Sequence, residues 1–225
     1  MANFNTHVTG AALGGAAVSA LAVNAGLFDQ VEAASYALMT VIGGILPDID
    51  ADCSRPAKLL FFLLGVSGSV AFFLASEPYL PARYLAIGAL LVFLTIRYPI
   101  FTVFQKMTTH RGVFHSVLSA VFFGLLTTCA GYYFLAWHKL EAWLYGSFLS
   151  LGFMIHLCLD ELFSVDLANS RIKKSFGSAL KLFSCNNKKA SALLLILTIL
   201  LFIAAPPSAQ LLEVWGRFRA CFTNC

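Results

Sequence analysis

The sequence predicts an all-α fold, a polytopic membrane bundle of about seven transmembrane helices with a cytoplasmic N-terminus, and three observations predict it. Of 225 residues, 59% are hydrophobic and 12% charged, with a mean hydropathy of +0.81, a balance that excludes an ordinary soluble domain. Apolar stretches at about 8–28, 33–47, 59–76, 83–104, 113–136, 143–160 and 190–205 approach the roughly 20 residues needed to cross a bilayer as a helix. The basic residues are unevenly spread. With the N-terminus inside, Arg55, Lys58, Lys106, Arg111, Arg171, Lys173, Lys174, Lys181, Lys188 and Lys189 lie inside, against Arg83, Lys139, Arg217 and Arg219 outside, the bias that orients membrane proteins. The spans leave room for little else, so one membrane-embedded domain is expected over 1–225. It divides into a motif core 7–166, a basic interfacial segment 167–189, a final helix 190–205 and a tail 206–225.

Taken in order, the first stretch lacks a basic leader and reads as a retained helix rather than a secretory signal. Its Gly10 and Gly14 have the small-xxx-small spacing of closely packed helices, although small residues are common there in any case. The second stretch is short for a span. The third and fourth are separated by the turn Glu77-Pro78-Tyr79-Leu80-Pro81. The fourth carries Arg97 before Tyr98-Pro99, where proline either kinks or ends the helix, so the second or the fourth could be half-inserted. After the sixth, Ile172, Phe176, Leu180 and Phe183 recur at roughly helical spacing, with Lys173, Lys174 and Lys181 between them. That pattern suits a helix on an anionic lipid surface, or equally a basic loop that fixes topology.

The six cysteines do not form a disulfide framework: Cys129 and Cys158 fall in apolar spans, Cys53 and Cys185 in loops expected to stay reduced. Cys221 and Cys225, on the predicted outer side, either pair or belong to an unpaired tail.

Chemistry concentrates at the span ends. His7, the run Leu46-Pro47-Asp48-Ile49-Asp50, the run His110-Arg111-Gly112-Val113-Phe114-His115-Ser116, and the pair His156 and Asp160 all fall within about two helical turns of the cytoplasmic interface under this topology. Ionisable groups at such depth are costly and mark function. His156 and Asp160, four residues apart, share one helix face and can point at one ion, or can form a structural pair. Pro47 disfavours helix continuation, and the acids after it repel one another unless a cation or water lies among them. Asp48 and Asp50 are the better ligand candidates, Asp52 the better fit to a solvated turn. Two of the five histidines fall within six residues at His110 and His115, beside a permissive Gly112. Arg111 between them has the forked donors for a phosphate. Ser116 is a substrate-side donor or the start of a helix.

An early His, Leu-Pro-Asp-Ile-Asp, His-Arg-Gly-x-x-His-Ser and Gly-x-x-x-His-x-x-x-Asp (Gly152 to Asp160) together resemble the YdjM-like family of inner-membrane, metal-dependent hydrolases, described as LexA-regulated in some bacteria. That family is distantly similar to the zinc-dependent phospholipase C and P1 nuclease group. The resemblance runs from His7 to about Asp166 and implies hydrolysis at the bacterial inner membrane. It carries His7, Asp48, His110, His115, His156 and Asp160 as ligand positions, Asp50 as the second acid and Arg111 as the arginine between ligands. The chain departs from the pattern after Asp160, reading Glu161-Leu162-Phe163-Ser164-Val165-Asp166.

The mixed imidazole and carboxylate set favours zinc, then manganese or iron. A mononuclear catalytic zinc needs about three protein ligands, so seven candidates allow two ions. In such an enzyme Asp50 or Glu161 would accept the proton of water, and Arg111 and Ser116 would bind substrate. The expected partners are membrane lipid and a phosphoester, including a lipid phosphoester; no nucleic-acid partner is expected. The competing class is an ion or proton transporter, or a metal-binding membrane protein without hydrolytic activity. The ionisable clusters gather at one face rather than along a path, which favours the enzyme.

Overall fold

A computed structural model describes residues 3–50, 55–77, 79–107, 115–166, 171–172, 180–182 and 188–223. In chain order the helices are α1 (Phe4–Asn24), α2 (Gln30–Ile45), α3 (Arg55–Ser76), α4 (Ala82–Thr95), α5 (Phe101–Met107), α6 (Val117–Phe134), α7 (Lys139–Leu162), α8 (Lys188–Ala204) and α9 (Ala209–Thr223). A 3-10 turn, Leu46–Asp50, follows α2, and a π turn, Ile96–Ile100, joins α4 to α5. Extended structure among the described residues is one two-residue antiparallel pairing, Val165 opposite Ile172 and Asp166 opposite Arg171. The all-α expectation holds.

Among the described residues, five helical segments are long and apolar enough to cross a membrane: α1, Ala57–Ser76, Ala82–Val103, α6 and α7. The pair α8 and α9, bent by 93°, adds a sixth if counted together. At 16 residues α2 is shorter than these. The exposed faces are apolar, with Leu193, Ile196, Leu200 and Ile203 on α8 and Leu59, Leu63 and Leu74 on α3 uncovered. In water so much bare apolar surface would drive association; on spanning helices it is the lipid face.

The chain divides into two compact units, residues 1–47 with 113–225, and residues 48–112. In the first, α7 packs against α1, α2, α6 and α9, and α8 packs on α6. Local sequence sets the helix ends. Asn3 caps α1 by accepting from the Thr6 backbone at 2.8 Å. At the other end Gly26 takes φ +67°, and its N–H and that of Leu27 donate to Val23 and Ala22, closing the helix as a Schellman turn. Asp29 and Glu32 then form a reciprocal capping box at the start of α2, at 2.7 and 3.1 Å.

Close approach of α2 and α7 depends on missing side chains. A Cβ on Gly152 would run into the Thr40 carbonyl and lie 2.8 Å from the Gly44 nitrogen; a Cβ on Gly43 would run into the Leu149 carbonyl. Gly152→Ala is therefore expected to destabilise the protein by about 1–3 kcal/mol by forcing these backbones apart, as measured by thermal unfolding in mild detergent.

In the second unit α3 packs against α4, and the Ser69 hydroxyl is within 2.8 Å of both the Gly65 and the Ala89 carbonyl. Pro99 lies inside the π turn, where the wider winding accommodates a residue without an N–H. The fourth span thus continues through Pro99 into α5. The Arg97 guanidinium lies 5.4 Å from the ring centres of Tyr98 and Phe101, a cation–π arrangement suited to an arginine in an apolar segment.

The sequence predicts a tail over 206–225, whereas Ala209–Thr223 is helical. Leu211 packs against the cluster around Tyr36, Leu144 and Phe148. The Trp143 indole donates to Pro206 at 2.9 Å and the Tyr133 hydroxyl to Ala204 at 2.7 Å, fastening the corner between α8 and α9.

Candidate metal centre

Four ionisable side chains meet at one end of the first unit. His7 lies in the first turn of α1, His115 just before α6, and His156 and Asp160 in the last turns of α7. Antiparallel connection by short turns brings these helix ends together, which is why residues so distant in sequence converge. Each is at most 3% exposed. Burying them without partners would be strongly unfavourable.

All three histidines aim Nε2 at the Asp160 carboxylate. His7 Nε2 is 3.4 Å from Oδ1; His156 Nε2 and His115 Nε2 are 3.7 and 3.8 Å from Oδ2. These separations exceed the usual 2.7–3.2 Å of a direct hydrogen bond. Ligand atoms about 2.0–2.1 Å from a tetrahedral zinc lie about 3.3–3.4 Å apart, so these three nitrogen–oxygen separations are within a few tenths of an ångström of ligand spacing. Ligand atoms of His7, His156 and Asp160 all fall within 4.8 Å of one another, and this group could hold a metal ion.

A backbone contact orients the central ligand. His156 Nδ1 is 2.7 Å from the Gly44 carbonyl oxygen. A carbonyl only accepts, so Nδ1 carries the proton and Nε2 presents its lone pair toward the cluster. This is the outer hydrogen bond that metal-binding histidines commonly make. The His7 ring stacks on that of His156, with centroids 3.6 Å apart and planes 10° from parallel; His115 meets His156 edge-on at 5.7 Å and 72°. His7 Nδ1 is buried with no hydrogen-bond partner among the described residues, a state costing about 1–3 kcal/mol if nothing satisfies it. The donor chemistry and the spacing of the Nε2 atoms about the carboxylate fit a bound divalent cation.

Four of the seven predicted ligands are thus brought together. Asp48 lies half-buried in the 3-10 turn that continues α2, four residues beyond Gly44, and Asp50 ends that turn. His110 and Arg111 lie outside the described residues. Glu161 is half-buried next to Asp160, but one residue along a helix turns it about 100° from the face shared by His156 and Asp160. Ser116 is fully buried and caps α6: its Oγ accepts from the Ser119 N–H at 3.3 Å and is 3.1 Å from the Ser119 hydroxyl.

The basic pattern from Ile172 to Phe183 lies largely outside the described residues, as do Cys53, Cys185 and Cys225. Sequence reasoning missed the Gly44 carbonyl; the adjacent Gly43-Gly44 pair near the end of α2 was the available signal for close helix contact.

No curated protein and no solved structure matches the chain. The YdjM inner membrane protein family, by contrast, matches residues 1–206, the stretch that contains every predicted ligand. The membrane-spanning helices, the buried His and Asp cluster at their ends and this match agree: the chain is a multi-pass membrane protein that belongs to the YdjM inner membrane protein family.

Proposed function

We propose that the chain is a metal-dependent hydrolase of phosphoesters in the bacterial inner membrane, with its N-terminus and its site on the cytoplasmic side. The observation that carries this reading is the convergence of three buried histidines on one buried carboxylate at ligand spacing. Borderline nitrogen and oxygen donors make zinc the first choice. A bound zinc ion supplies Lewis acidity, activating water and offsetting charge on phosphoryl oxygens.

The protein's own residues supply the rest. His7, His156 and Asp160 would hold the ion and leave its fourth position to water, with His115 beside them and Asp48, Asp50 and His110 the further candidates for a second one. The Gly44 carbonyl keeps His156 in the ligating tautomer. Arg111 binds the phosphoryl group through its planar donors, and Asp50 or Glu161 accepts the proton from water. The buried hydroxyls of Thr40, Thr128 and Thr198 bond Tyr36, Gly124 and Leu194 of their own helices, so these three do not line a polar path, which supports an enzyme over a transporter.

The test is a screen of phosphomonoesters and phosphodiesters, soluble and lipid-borne, with zinc-loaded protein in mild detergent. Chelator-sensitive turnover is expected, falling about a hundredfold in Arg111→Lys, which keeps the charge but loses the fork. Metal-loaded protein that turns over no phosphoester yet passes ions across liposomes would replace this reading with transport.

A further inference from the structure

We infer that a groove between α6 and α8 holds the hydrocarbon chain of a phosphate-headed lipid, with its headgroup at the α6 N-terminus. The inference rests on the proposed phosphoester chemistry and names the substrate class. The groove is about 500 Å³, within the range of small-molecule sites. Val117 and Val121 form one wall, and Ser191, Ala192 and Leu195 the other.

Position and charge identify the occupant. Val117 is two residues after His115, so the groove begins where α6 leaves the metal cluster. The segment carrying Lys181 is tied there, because the Val117 and Leu118 N–H groups donate to the Lys181 and Leu182 carbonyls at 3.0 and 3.1 Å. Lys188 lines the same end and is exposed. From Lys188 to Leu195 the α8 wall runs about 10 Å at 1.5 Å per residue, cationic at the cluster end and apolar beyond. That polarity complements an anionic headgroup followed by a hydrocarbon chain. Both helices expose apolar side chains to the bilayer, including Val121, Leu193 and Leu195, so a lipid can enter laterally.

The experiment uses the full chain in phosphatidylcholine vesicles containing a trace of phosphatidic acid with a photoreactive diazirine on one acyl chain. A phosphatidylcholine probe with the same diazirine is the control. Cross-links are mapped by mass spectrometry with and without zinc.

The phosphatidic acid probe is expected to label the α6 and α8 walls at least about fivefold more than the control, and Lys188→Gln to lower that labelling about fivefold, the effect of one lysine near an anionic group. Ala192→Trp, at a lipid-exposed position, is expected to reduce groove labelling to the control level by filling the space. Equal labelling by both probes would mean ordinary surrounding lipid and overturn the inference, as would strong labelling that persists in Ala192→Trp. Because cross-linking needs no turnover, selective labelling of protein that binds no zinc would uphold the groove while defeating the metal reading. Zinc-loaded, active protein without selective labelling would do the reverse.

Discussion

Asp160→Asn is expected to weaken zinc binding by more than about 100-fold while leaving the fold intact. Loss of an outer-sphere partner alone typically costs 10–100-fold in affinity, and Asp160 is the residue on which His7, His115 and His156 all converge. Asparagine preserves volume and a hydrogen-bonding oxygen but removes the negative charge, so an effect on binding without an effect on helix content isolates the ligand role. Zinc titration against a competing chelator, with circular dichroism on the same samples, measures both. Unchanged affinity would show that Asp160 pairs with histidines for structural reasons only.

Zinc is also expected to stabilise the wild-type protein. A ligand that binds only the folded state adds about 2.7 kcal/mol at 100 times its Kd, which raises the melting temperature of a protein of this length by about 5–10 °C. The ion would join α1 to α7, so its removal loosens contacts between elements far apart in sequence. Thermal unfolding with zinc and with chelator measures the shift, which is expected to vanish in Asp160→Asn. A shift of equal size in that variant would place the stabilising ion elsewhere.

Much of this was legible in the sequence because local rules dominate membrane helices. Apolar runs marked the spans, and Asn3, Asp29 with Glu32, and Ser116 sit at helix starts as their side chains dictate. His156 and Asp160 share a face by helical spacing alone. The family motifs carried His7 and His115 to the same site. What escaped was long-range or weakly patterned. The hydrogen bond from His156 to Gly44 joins residues 112 apart, and no local pattern specifies such a partner. Helix α9 mixes Glu213, Arg217 and Arg219 with Leu211, Leu212, Trp215 and Phe218, too polar for a span, and it follows Pro206-Pro207 at the sharp bend. Its helical state is reinforced by packing of Leu211 on the bundle and a salt bridge from Arg217 to Glu213 at 2.6 Å.

The central claim is that the buried histidines and Asp160 bind a metal. Metal content per chain, measured by mass spectrometry on protein purified in mild detergent, tests it most directly when wild type is compared with a folded His156→Ala, Asp160→Ala double variant. The account predicts stoichiometric zinc, manganese or iron in the wild type and its loss in the variant; wild-type protein with no bound metal after chelator-free purification would contradict it.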